Sequence, residues 1–84
     1  MTRYIAANDK LYTYSDHMIL QENIHGVKAD WIEAVMNAPE RYELSVSSGY
    51  MLYIGSIEGR EEPFFVVVHE EHEQIVTAYF GERL

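Results

Sequence analysis

The sequence predicts an α+β domain in which two short N-terminal helices pack on a four-stranded antiparallel meander sheet. Three observations lead there. Apolar residues recur at helical spacing between Ser15 and Asn37. From Arg41 onward the period drops to two. The turn-forming clusters "SSG", "EGREEP" and "EEHE" then divide the second half into four segments of strand length.

Taken in order, "YIAANDKLYTY", Tyr4 to Tyr14, has an apolar start, an Asn-Asp-Lys turn and the alternating Leu11 and Thr13, which suggest a weak strand or extended arm. Ser15 and Asp16 suit an N-cap and first turn, and Gly26 suits a helix stop, so a helix of roughly three turns runs to about His25. On its helical wheel Leu20 and Ile24 define an apolar stripe, and His17 lies about 40° from the centre of that stripe. A second helix runs from about Ala29 to Asn37. Trp31 and Val35, with Ile32 and Met36, make its apolar face; Glu33 and Asn37 point away, and Pro39 stops it.

"RYELSVS" places Tyr42, Leu44 and Val46 on one side of a half-buried strand and Arg41, Glu43 and Ser45 on the other. Tyr50 to Ile57 forms the next strand. "FFVVVH" is apolar on both faces and reads as the central one. Gln74 to Phe80 closes the meander, with Ile75, Thr77 and Tyr79 on one face and Val76, Ala78 and Phe80 on the other. The helices should cover one side of this sheet.

A chain of 84 residues is one domain, 1–84, near the size at which about 60% of the unfolded chain's surface is buried. Hydrophobic residues make up 48% of it and aromatics 13%, which is the composition of a packed domain and not of a disordered tail. The absence of cysteine removes disulfides and thiolate metal sites. "MTRYIAANDK" lacks the apolar run of a signal peptide, and no stretch approaches the ~18 apolar residues of a membrane span. A cytoplasmic protein without a membrane partner is the expectation.

Fourteen Asp and Glu against six Lys and Arg give a formal charge of −8, which repels polyanions and favours basic partners. Arg3, Lys10, Lys28, Arg41, Arg60 and Arg83 are scattered and form no basic run.

"HEEHE", His69 to Glu73, holds residue types that bind zinc, but its histidines are three apart across a hairpin turn and not four apart on a helix. It reads as a solvated acidic turn, with no metal. Gly55, just before "SIEGREEP", and Gly59 within it lack the strand-to-helix context of a phosphate loop. No cofactor is expected. The tyrosines suit half-buried strands, and Tyr79 is the one singled out for a hydroxyl that opens into a groove, where it would stack on a base or donate a proton. His17 at the helix–sheet boundary suits acid–base work and a structural hydrogen bond alike, the residues by themselves favouring the structural bond. His17, Gln21 and His25 share one ridge.

The order of a His at the start of a helix, "HGV" at its end, a second helix closing in "MNAP", a hairpin and a final "VVV…IVTAYF" resembles a small bacterial domain family. That family looks related to the RelE-like and BrnT-like toxins of the barnase, EndoU, colicin and RelE fold group. The likeness covers about Tyr14 to Leu84. Its first helix typically carries His, then Arg four residues on, then Arg four further on, then Gly and Ile. Here the series is His17, Gln21, His25, Gly26 and Val27, so the spacing is kept and both arginines are replaced. Thr77 and Tyr79 match the family's final T-x-Y, and Pro39 its helix-ending proline.

What the resemblance implies is a metal-independent RNase scaffold, in which cationic groups stabilise the charge developing on phosphate. Gln21 supplies no such charge, and His25 does so only when protonated. The expected function is therefore a non-catalytic protein-interaction module with a protein partner or a second copy of itself. The alternative is a toxin-like endoribonuclease acting on RNA. It would use His17 as acid or base and Thr77 and Tyr79 at the phosphate, with Gln21, His25, Arg41, Arg60 and Arg83 as substrate contacts. An acidic antitoxin-like binder is a third reading.

Overall fold

The computed structural model describes residues 4–44 and 49–81. The chain opens on a hairpin, β1 (Tyr4–Ala7) and β2 (Lys10–Tyr14), and continues through α1 (Asp16–His25), α2 (Ala29–Asn37), β3 (Arg41–Leu44), β4 (Met51–Gly55), β5 (Phe64–His69) and β6 (Gln74–Phe80). These six strands form a single sheet in the order β1-β2-β6-β5-β4-β3. All neighbours are antiparallel except β2 and β6, which are parallel through Thr13–Gln74 and Tyr14–Ile75.

The expected sheet of four antiparallel strands is thus corrected to a mixed sheet of six, and the helices lie inside the chain, between β2 and β3. The segment expected as a weak strand or extended arm is a closed hairpin of two strands. Asn8 and Asp9 both take positive φ, 53° and 64°, the pair of left-handed residues that a two-residue hairpin turn requires. Ile5, Ala7, Tyr12 and Tyr14 then bury one face of the ribbon. Without that burial a two-stranded hairpin is marginal in water.

Both helices contribute to one core. Ile32, Val35 and Met36 of α2 are buried, Glu33 and Asn37 face outward, and Trp31 packs edge-on against Phe64 and Phe80 at 6.0 and 5.3 Å between ring centroids. A Cβ placed on Gly55 would lie 3.1 Å from Cγ2 of Val35, so the bare glycine lets α2 sit close on β4. Val66 and Val68 of β5, Ile75 and Ala78 of β6, and Met18 of α1 complete the interior, all fully buried. Each large apolar side chain taken from water contributes about 1.5–3 kcal/mol.

The phase of α1 differs from the expected one. Met18 is its buried residue, while Leu20 and Ile24 stand 52% and 64% exposed. Ser15 fixes that roll, because its hydroxyl accepts the Met18 N–H at 3.0 Å and donates to the Val76 carbonyl at 2.7 Å, pinning the first turn to β6. Gly26, in the left-handed conformation, ends the helix. In consequence His17 is exposed and does not lie at the helix–sheet boundary.

Two strand expectations also change. Ile75 and Ala78 are three apart yet both fully buried, since the register shifts between Val67 and Val68 and one extra residue is accommodated in β6. The simple alternation expected along Gln74–Phe80 therefore breaks at Val76. All four residues of β3 are exposed, not half-buried, because β3 is the sheet's edge. Val46 and Ser45 of the expected strand fall outside the described residues. Among the described residues no helix is long and apolar enough to cross a membrane.

Candidate functional site

The end of β2 pairs with the start of β6, and α1 packs against β6. Across this seam the side-chain amide of Gln21 donates to the Thr77 hydroxyl at 3.3 Å. Two of the expected site residues are brought together here, but the donor is a neutral amide and not a guanidinium. Tyr79, two residues along β6, lies flat against Phe65 with ring centroids 5.3 Å apart and is 41% exposed. His17 and His25 are exposed, and neither makes a hydrogen bond or ion pair among the described residues.

The remaining candidates are engaged elsewhere. Arg41 pairs with Glu43 on β3. β3 lies three strands from β6, roughly 14 Å at the usual strand spacing. The Arg60 guanidinium sits over the Phe80 and Trp31 rings at 4.4 and 5.8 Å, and Lys28 approaches the same Trp31 at 5.5 Å. Arg83 lies outside the described residues. His69 and His72 are neighbours at 4.4 Å between rings, with the His72 N–H donating to Nδ1 of His69 at 3.3 Å. No three His, Asp or Glu among the described residues are grouped so as to hold a metal ion.

A second cluster, unforeseen in the sequence, lies beside the C-terminal end of α2. A pocket of about 330 Å³ opens between the β1–β2 turn, α2 and β4, lined by Asn8, Lys10, Tyr12, Met36, Pro39, Tyr42, Tyr53 and Glu70. Asn8 ties the turn to the helix, its side-chain amide donating to the Met36 carbonyl and its N–H to Oδ1 of Asn37, both at 3.2 Å. The expected acidic turn after β5 is only partly solvated. Its first carboxylate, Glu70, accepts the Tyr12 hydroxyl at Oε2, 3.2 Å away, and the Tyr53 hydroxyl at Oε1.

Burial pushes both phenols above their ordinary value of 10, and the Glu70 carboxylate adds to the rise through its charge and its hydrogen bonds. For Tyr12 a hydrogen bond with Tyr53 acts in the opposite direction. Both hydroxyls thus stay protonated and donate. A buried tyrosine requires an acceptor for its hydroxyl, but that Tyr12 and Tyr53 are buried is shown by the fold and not by the sequence. Identifying that acceptor as Glu70 required the fold.

No protein-family model, no curated protein and no solved structure matches this chain.

Proposed function

We propose that this chain is a non-catalytic protein-interaction module, built on a scaffold like that of the RelE-like and BrnT-like toxins and directed at a basic partner. The observation that carries this reading is the Gln21–Thr77 hydrogen bond. Where phosphoryl chemistry would need a cation against the charge developing on oxygen, the chain presents a carboxamide. Arg41 and Arg60 support the same reading, one paired with a carboxylate and the other laid on two aromatic rings. The formal charge of −8 opposes approach to RNA and speeds encounter with a positively charged protein surface.

Two measurements test it. Wild-type and His17→Ala proteins are incubated with a mixed RNA pool and EDTA from about pH 5 to 8, the range in which histidine changes charge. Both are expected to leave the RNA intact, and cleavage that depends on His17 would replace this reading with the endoribonuclease. In parallel, lysine- and arginine-bearing peptides are titrated against the protein at low and high salt. Binding that weakens with salt is expected, and its absence would remove the basic partner.

A further inference from the structure

The Glu70 carboxylate in the pocket has accepting capacity left. An ionised carboxylate offers about four lone-pair sites, and the two tyrosine hydroxyls take one on each oxygen. Lys10 is the nearest charge, but its Nζ stands 3.7 Å from Oε2, beyond hydrogen-bond range, on a side chain that is 47% exposed. The two form an ion pair that leaves the carboxylate's hydrogen-bonding capacity unfilled.

The walls restrict what would use that capacity. The Tyr42 ring stands edge-on to Tyr53, with centroids 4.8 Å apart and planes at 83°, on the exposed edge strand. Pro39, half-buried, supplies apolar surface, and the fully buried Met36 lies behind it. An anion entering here meets a carboxylate at close range. A purely apolar group strips water from Glu70 and offers nothing in return. An organic cation suits every wall but Lys10, which it must displace: its N–H groups bond the carboxylate, its charge faces an aromatic ring, and its carbon stem covers the apolar surface. The volume, about 330 Å³, is at the small end for ligand pockets and suits a single side chain.

From these contacts we propose that the pocket receives a lysine or arginine side chain of a partner protein, whose charged head bonds Glu70 while its stem packs on Tyr42 and Pro39. This rests on the basic-partner reading and names the point of recognition. Lys10 occupies the approach to Glu70 in the free protein, so it acts as a built-in competitor that the incoming cation displaces.

The test is calorimetric titration of the full chain with short oligolysine and oligoarginine peptides. Wild type is compared with Glu70→Gln, Tyr42→Ala and Lys10→Gln, and with Glu61→Gln as a control that removes the same charge from an exposed turn. In Glu70→Gln the side-chain amide still offers an oxygen to a tyrosine, and Tyr42 sits on an exposed edge strand, so thermal unfolding should find both variants folded. Glu70→Gln is expected to weaken binding about tenfold, equivalent to about 1.4 kcal/mol, and Glu61→Gln much less. Tyr42→Ala should weaken it about threefold, as loss of one exposed cation–π contact would. Lys10→Gln should tighten it. Peptide binding with equal losses in Glu70→Gln and Glu61→Gln, and none in Tyr42→Ala, would overturn the pocket while leaving the basic partner in place. No binding of either peptide would overturn both.

Discussion

The Gln21 amide and the Thr77 hydroxyl meet at 3.3 Å across the seam between α1 and β6, joining residues fifty-six apart in the chain. If catalysis were absent only because a cation is missing, restoring that cation should restore activity. More than the cation is in question, since His17 is exposed with no hydrogen bond or ion pair among the described residues and Tyr79 is stacked on Phe65. Gln21→Arg is therefore expected to leave a mixed RNA pool uncut in EDTA, while changing stability by no more than about 1 kcal/mol, the net worth of one hydrogen bond. Gel analysis of the RNA checks the first expectation and urea unfolding the second. Cleavage by Gln21→Arg would identify the chain as a nuclease lacking one residue.

Ser15 serves two elements at once. Its hydroxyl accepts from Met18 as the N-cap of α1 and donates to the Val76 carbonyl beside the irregularity in β6. Ser15→Ala removes the cap and leaves that carbonyl without its donor. The expected loss is about 1–2 kcal/mol, toward the upper end of N-cap substitutions. Ser15→Asp keeps the cap acceptor but places a carboxylate against the carbonyl, and should recover little of the loss. Denaturant midpoints of the three proteins distinguish a cap from this two-sided pin.

How much of this was legible in the sequence depended on how local the cause was. The α2 helix could be read from the spacing of Ile32, Val35 and Met36 and the stop at Pro39, and its range, Ala29–Asn37, follows. "FFVVVH" marked β5 for the same reason. The roll of α1 could not be read: Leu20 and Ile24 make a plausible stripe, and only the bonds of Ser15 to β6, sixty-one residues away, turn Met18 inward. The place of β2 in the sheet was hidden likewise, since Leu11 is exposed and its partner strand ends the chain's fold. At the site, Gln21 and Thr77 were named separately by motif and meet in space. Tyr12 and Tyr53 had a sufficient local explanation in strand propensity, so nothing in the sequence pointed to the carboxylate they share.

The same two tyrosines set an alkaline limit. Their hydroxyls hold their protons above the ordinary value of 10, chiefly through burial. Below about pH 10 folded and unfolded chains both keep these protons and the contribution to stability is fully present. Above it the unfolded chain releases protons that the folded one retains, so stability falls as pH rises, by up to ~1.4 kcal/mol per pH unit for each tyrosine. Tm measured from about pH 8 to 11 should decline beyond pH 10, more gently in Tyr53→Phe, which removes one of the two groups. An identical slope in Tyr53→Phe would show that its hydroxyl is not held protonated by the fold.

Asn8 and Asp9 give the sharpest contrast available in the hairpin. Both take left-handed φ, which disfavours any residue with a Cβ and which glycine adopts freely. Asp9 makes no hydrogen bond or ion pair among the described residues, so Asp9→Gly relieves the backbone and removes no contact. Glycine also adds freedom to the unfolded chain, which offsets part of the gain, leaving an expected increase of about 0.5 kcal/mol. Asn8→Gly relieves the same strain but deletes the amide that donates to the Met36 carbonyl at 3.2 Å and ties the turn to α2. That loss, about 1 kcal/mol, outweighs the relief, and Asn8→Gly should be the less stable of the two proteins and less stable than wild type. Urea unfolding with unchanged m-values measures both, and stabilisation by Asn8→Gly would show that the Asn8–Met36 bond contributes nothing net to the fold.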